Sequence, residues 1–413
     1  MSTSVAPPSM GRGLEAPART SPRATTSDGV RTARVFLAAL GPMLTVAALR
    51  KLVIDQHGGT PASLHLFIAL GMLGAAIGAP LVAARADKNG THARLAITLA
   101  VIDAVATFAT SRVSSTALLF ALRPVHGIAS MGLLALLFGD LRRTSKRFVA
   151  HAGGSMIAAL AIGPGLGGAL SRTNVQRPFE IASLLGVVVA VTLLARPLES
   201  ARLALGAARH ELTTGRPIVE AMRALQAPLG LLFIQRAAIG GFIAAFAVRA
   251  RASGVSDARI GASFSVFLVV FAITVTLLGR TESRHPKSDI IPLGGALFAV
   301  GFLFLAVLSG SAVLPFLALA GAGAGMIYAP CLAIASGSDT RGHASTMALV
   351  HAAGAVGMIV GPLVAALADF ALADMSAPGR GALFLVLAGG GQALASLVLH
   401  SDCRALETSR KIP

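Results

Sequence analysis

Seven polar side chains stand inside otherwise apolar stretches of the sequence: Asp103, Arg123, His126, Gln235, Arg236, His351 and Gln392. A guanidinium at the centre of a bilayer costs at least about 2.5 kcal/mol on insertion scales, so an arginine there must face a wet cavity or a partner. Asp103 is the carboxylate nearest in depth to Arg123, and His126 lies one helical turn from Arg123 on the same face. Such a trio could relay protons or simply tie two helices together. Arg236, preceded by Gln235, either gives a central cavity a second positive charge or snorkels towards an interface. Two arginines lining one cavity would suit an anionic or zwitterionic small molecule. His351 and Gln392 read first as satisfied packing groups.

The elements that position these groups follow from composition. Hydrophobic residues make up 54% of the 413 and charged residues only 13%, where soluble domains carry about 25% charged. A bilayer allows apolar outer surface, so the expectation is an all-α membrane protein. The net charge of +17 would suggest nucleic acid in a soluble protein. Here the positives fall between apolar segments, so topology accounts for them and no nucleic-acid partner is expected. Cys331 and Cys403 form no spaced framework, so neither a disulfide nor a metal site is expected. No phosphate-cradling loop, catalytic triad or nucleotide-binding domain is present, which excludes enzymatic and ATP-driven chemistry and any cofactor. With Tyr328 the sole tyrosine and no tryptophan, the interfacial aromatic belt is nearly absent.

A span needs roughly 20 apolar residues, and twelve candidates meet this. Six fall at 34–50, 62–84, 92–111, 115–139, 149–170 and 179–196; six more at 228–248, 258–279, 290–309, 312–336, 344–371 and 380–400. The domains are then a disordered polar tail at 1–33, a six-helix bundle at 34–196, a loop at 197–227, a second bundle at 228–400 and a tail at 401–413. With both termini in the cytoplasm, 24 of the 35 Lys and Arg lie on the inner side, nine lie outside, and Arg123 and Arg236 lie within spans. The bias follows the positive-inside rule and is clearest at Arg142, Arg143, Lys146 and Arg147.

The halves repeat. Ala159-x-x-x-Gly163-Pro164-x-x-Gly167-Gly168 in span five matches Gly357-x-x-x-Gly361-Pro362-x-x-Ala365-Ala366 in span eleven at an offset of 198. Gly127 and Gly325 share that offset, and residues 38–44 match 237–243 at 199. Six spans per repeat give both halves one orientation, so they are parallel repeats about an axis along the membrane normal.

Between spans two and three the chain reads Ala83-Ala84-Arg85-Ala86-Asp87-Lys88-Asn89-Gly90-Thr91-His92. This resembles the signature loop of the major facilitator superfamily, G-x-L-A-D-R-x-G-R-R. Asp87, Lys88 and Gly90 match. Thr91 and His92 stand where the family has two basic residues, and Arg94 is expected to supply that charge. Arg123-Pro124-Val125-His126-Gly127 resembles the family's R-x-x-x-G, and the Gly163-Pro164-x-x-Gly167-Gly168 stretch resembles a motif of its exporters and antiporters.

The resemblance implies two six-helix bundles around a central cavity, working by alternating access as a monomer in the plasma (inner) membrane. It implies that Asp87 latches the outward-facing state beside a helix N-terminus and nearby basic groups, with Asp140 as a further partner. The implied partners are a small-molecule substrate, protons and the lipid bilayer. It favours proton-coupled efflux of a drug or metabolite. Span one carries no Asp or Glu, so coupling falls to Asp103 or a histidine. Uptake or uniport of an organic anion stays open, as does a non-transporting receptor or assembly factor on the same fold.

Overall fold

The computed structural model describes residues 27–198, 217–281, 287–337 and 343–409, apart from residues 47, 50, 60, 146, 256, 309 and 373. Most of the expected tail at 1–33, most of the 197–227 loop, Lys146 and the last four residues lie outside these. Among the described residues there is no strand, and twelve long helices carry the fold. The first half holds α1 (Asp28–Val46), α2 (Pro61–Asn89), α3 (His92–Arg112), α4 (Thr116–Thr144), α5 (Ser155–Leu170) and α6 (Arg177–Ala195). The second holds α7 (Gln226–Ala252), α8 (Asp257–Arg280), α9 (Ile291–Val307), α10 (Leu314–Gly337), α11 (His343–Ala371) and α12 (Ala377–Thr408). Eleven segments, α5 counted with the turn before it, are long and apolar enough to cross a membrane. The protein is a multi-pass membrane protein. The twelfth helix, α1, is diluted by Asp28, Arg31 and Arg34 at its start.

The packing repeats as the sequence does. In the first half α1 packs on α4, α5 and α6, α2 on α4, and α3 on α4 and α6. In the second half α7 packs on α10, α11 and α12, α8 on α10, and α9 on α10 and α12. The halves meet along α2 with α11 and along α8 with α5, two seams that exchange under the same repeat. Leucine, valine and isoleucine side chains such as Leu184, Leu194, Leu367, Leu387 and Leu394 are exposed on the outside, as a lipid-facing surface requires.

Several boundaries differ from the sequence expectation: α2 runs to Asn89 and α4 to Thr144, past the expected 84 and 139, so that Asp87 and Lys88 stand on the last turn of α2 rather than in a loop. Three further differences bear on the packing. First, α1 begins at Asp28, inside the stretch read as a tail, because Arg31 and Arg34 are buried against the bundle rather than solvated. Second, α12 runs on to Thr408, past the expected end at 400. Its last turns are held by polar contacts. Glu407 accepts hydrogen bonds from the backbone N–H of Lys287 (2.9 Å) and Ser288 (3.0 Å), and Arg404 pairs with Asp289 at 3.4 Å. Glu407 thus caps the one-turn helix Lys287–Ile290 that leads into α9. Glu407→Ala is expected to cost about 0.5–2 kcal/mol, as for other lost helix caps, read as a lowered unfolding temperature in detergent. Third, π-helical turns at Lys51–Gln56 and Val149–Gly154 follow α1 and precede α5. A short helix, Pro217–Ala224, joins the halves and packs on α11, α2 and α7.

With twelve long helices alternating in direction, the start of α1, which meets Ser145 at the end of α4, and the end of α12, which meets Lys287 ahead of α9, lie on one side of the molecule, called here the terminal face.

Candidate functional site

Arg123, His126 and Asp103 come together between α2, α3 and α4. Arg123 Nη1 lies 3.1 Å from His126 Nδ1. A guanidinium only donates, so Nδ1 accepts and the neutral ring carries its proton on Nε2. That nitrogen stands 3.4 Å from Asp103 Oδ1. The pair is within ion-pair reach but not aligned as a hydrogen bond, and Oδ1 is buried without another partner. The ring of Phe67 supports the guanidinium from below at 5.0 Å. Gly71 on α2 leaves room for it, since a Cβ there would meet Arg123 Nε at 2.7 Å. The result is a row of three polar groups inside a bundle: fixed cation, imidazole, carboxyl.

The second-half residues form a separate group. Arg236 on α7 lies over the rings of Phe271 (5.7 Å) and Tyr328 (5.1 Å). His351 on α11 is within electrostatic reach of it. Gly354, one turn further along α11, faces the Arg236 stem, with its Cβ position 3.4 Å from Cγ. Arg123 and Arg236 therefore have separate partners, each from its own half. Gln235 donates to the Ala324 carbonyl (2.7 Å) and Gln392 to Ser396 Oγ (3.3 Å). Both are struts between or along helices. Tyr328 is the residue sequence reasoning missed here: it sits buried in mid-span. The signal was there, a lone tyrosine three residues from the repeat glycine Gly325 and two from Pro330.

At the terminal face, Gly90 closes the α2–α3 turn with φ +64°, a left-handed conformation that glycine adopts without strain. The turn places Asp87 at the N-terminus of α11. Its carboxylate accepts from Ser345 N (2.8 Å), Ser345 Oγ (2.7 Å) and Ala344 N (3.4 Å). The first N–H groups of a helix have no internal partner and carry the positive end of its dipole. A carboxylate from one half therefore caps a helix of the other. Its cationic-type partner is His92, at 2.8 Å, rather than Arg94. Arg94 and Lys88 are exposed. Asp140 pairs with Arg31 of α1 at 3.3 Å. Around it Asp28 meets Arg31 (3.4 Å), Ser145 Oγ (2.9 Å) and His151 (3.6 Å). Arg34, 2% exposed, caps the end of α6 by donating to the Thr192 and Arg196 carbonyls. The spacing Asp28-x-x-Arg31-x-x-Arg34 was the available clue to this network.

Asp87→Ala is expected to loosen the seam by about 1–2 kcal/mol, the worth of a lost charged cap. The check is thiol labelling of Ala344→Cys from the terminal face, which should speed up several-fold; unchanged labelling would mean the cap does not hold the halves together.

The glycine–proline stretches are close-packing devices. A Cβ on Gly163 would press on Met43, and one on Gly167 would land on the Leu44 carbonyl oxygen. Gly361 stands in the same relation to the Ala237 carbonyl, and Pro362 lies against Gly240. Pro164 sits within α5 without ending it, and Gly168 is half-buried beside it. Both stretches bind a half's first helix to its fifth.

Two parallel six-helix repeats, meeting along α2–α11 and α5–α8 with a carboxylate of one half capping a helix of the other at one face, define the major facilitator fold. The chain is similar to the crystal structure of the human organic anion transporter MFSD10 (TETRAN), with 18% identity and a TM-score of 0.72 over 91% of this chain and 100% of that one. It is similar to the proton:xylose symporter XylE at 13% identity and TM-score 0.68, over 90% and 95% of the two chains. It is also similar to the nucleoside transporter NupG at 14% and 0.61, over 92% and 99%. No protein-family profile and no curated protein matches the sequence.

Proposed function

We propose that this protein is a secondary active transporter that exports a small organic molecule by alternating access, with protons as the coupling ion. The observation that carries the reading is the Asp87 cap on α11. It ties the two bundles together at the terminal-face end of the α2–α11 seam, so it exists in states closed at that face and is lost when the halves part there. Proton coupling rests on the Arg123–His126–Asp103 row, where a buried carboxyl and an imidazole lie within 3.4 Å. Export rests on the glycine–proline stretch of α5. The neighbours in fold carry an organic anion, xylose and nucleosides by their titles, which supports small organic cargo. The terminal face is cytoplasmic, and the protein works as a monomer in the plasma membrane.

The test is transport in everted membrane vesicles, with a panel of labelled organic acids and drugs. Accumulation driven by an acid interior is the expected result. Accumulation only in right-side-out vesicles would reverse the direction, and no flux of any candidate in reconstituted liposomes would favour a receptor on this fold.

A further inference from the structure

One group of residues lies outside both the Asp87 cap and the Arg123–His126–Asp103 row. Arg236, Tyr328 and His351 come from three different helices, yet each lies eight to ten residues from the terminal-face end of its helix. That is about 12–15 Å at 1.5 Å per residue, roughly the mid-plane of a 30 Å hydrocarbon core. All three are more than nine-tenths buried.

The charges at this level do not balance. Arg236 has no carboxylate partner among the described residues; aromatic faces are its neighbours. The Tyr328 hydroxyl lies within reach of the Arg236 guanidinium, which can only donate, so its O–H has no acceptor, and His351 Nε2 is buried without a hydrogen-bond partner. A buried cation with no counter-charge is costly, and an unmade buried hydrogen bond costs about 1–3 kcal/mol. These deficits share one remedy, an oxyanion. A carboxylate would pair with the guanidinium and accept from the phenol and from Nε2–H of the imidazole. A single guanidinium matches a single negative charge. The rings of Phe271 and Tyr328 beside Arg236, and of Phe138 beside His351, offer an apolar bed for the rest of the molecule.

The surroundings also fit a site that changes its access. Phe138 belongs to α4 of the opposite half and stacks edge-on against His351, with ring centroids 4.7 Å apart. Gly153, in the π turn before α5, packs on Tyr328; a Cβ there would lie 3.3 Å from its ring. The terminal-face side of the group is thus covered by parts of the first half. Parting of the halves at that face would lift both covers.

We infer that Arg236, Tyr328 and His351 form the binding site for the carboxylate of a monoanionic substrate with an apolar or aromatic body. This deepens the transport reading given above and rests on it for the word substrate.

The chain supplies its own reporter, because Tyr328 is the one tyrosine and there is no tryptophan. Purified full-length protein in a non-aromatic detergent, which adds no tyrosine or tryptophan, would be titrated with three ultraviolet-transparent probes: cyclohexanecarboxylate, its neutral amide, and cyclohexylmethylamine. The expected result is a saturable change in tyrosine emission with the carboxylate, and binding at least about tenfold weaker for the amide and the amine, from loss of a charged hydrogen bond. Arg236→Gln should erase that preference, and Arg236→Lys should keep part of it. His351→Gln, which removes no fixed charge, should weaken the carboxylate several-fold and leave the amide unchanged. Equal responses to the three probes, no response to the carboxylate, or undiminished preference in Arg236→Gln would each overturn the assignment. Flux in liposomes is scored separately. Selective binding without flux would overturn the transport reading and leave the site standing; flux without a carboxylate preference would do the reverse.

Discussion

Arg123→Ala is expected to lower flux about a hundredfold or more while leaving the amount of protein in the membrane near normal. The two halves of that statement come from different physics. Membrane insertion penalises a guanidinium, so removing it does not hinder biogenesis. Function loses the group that organises its neighbours. Arg123 donates to His126 Nδ1 and thereby puts the ring proton on Nε2, facing Asp103. A hydrogen bond to a charged group is worth about 1.5–3 kcal/mol, and each 1.4 kcal/mol of barrier is about tenfold in rate. Losing the bond and the ring orientation together takes flux to background. Arg123→Lys should fall in between, since a point charge replaces the planar fork that lies over Phe67. The measurement is uptake into proteoliposomes at matched protein load. Normal transport by the alanine variant would remove Arg123 from the mechanism.

The second large effect is structural. Gly167→Ala and Gly361→Ala should each destabilise the protein by about 3 kcal/mol or more, at the upper end of overpacking costs. The added methyl in each case falls on a backbone carbonyl of the neighbouring helix, Leu44 in one half and Ala237 in the other. No rotamer relieves that clash, so the helices must separate. Gly165→Ala and Gly390→Ala are the controls. Each has open space at its Cβ position and gains helix propensity, so each should be neutral or slightly stabilising. Thermal unfolding in detergent separates the pairs. If Gly361→Ala melts with Gly390→Ala, the close approach of α7 and α11 is not what holds the second half.

Much of this was legible in the sequence, because a bilayer makes strong demands. Twelve apolar runs and the repeat offset of 198 gave the bundle count, the parallel halves and the equivalence of α5 with α11. Arg123, His126 and Asp103 stood out because charge is rare at membrane depth, and the structure brings them together. What escaped notice were places where charge is cheap. Arg31 and Arg34 sit next to a polar, proline-rich stretch, and a buried cap at a membrane edge has the same composition as a solvated tail. His92 and Arg94 differ by two residues along a helix, so they point to different sides, and only the fold decides which one meets Asp87. Tyr328 was read for its missing counterparts at the interface rather than for its own depth. The π turns leave no mark in composition at all.

The glycine-on-carbonyl contacts have a mechanical corollary. Where backbone rests on backbone there are no side chains to repack and no slack for one helix to slide on its neighbour. The α1–α5 and α7–α11 joints are then stiff, as are α2–α4 and α8–α10, where Gly127 and Gly321 face backbone carbonyls in the same way, and each half is expected to move as a solid piece. The larger movements are then expected between the halves, along α2–α11, α5–α8 and the contact of α4 with α11. Spin labels placed within one half should keep their spacing through a transport cycle, while labels straddling α2–α11 or α5–α8 should report most of the movement.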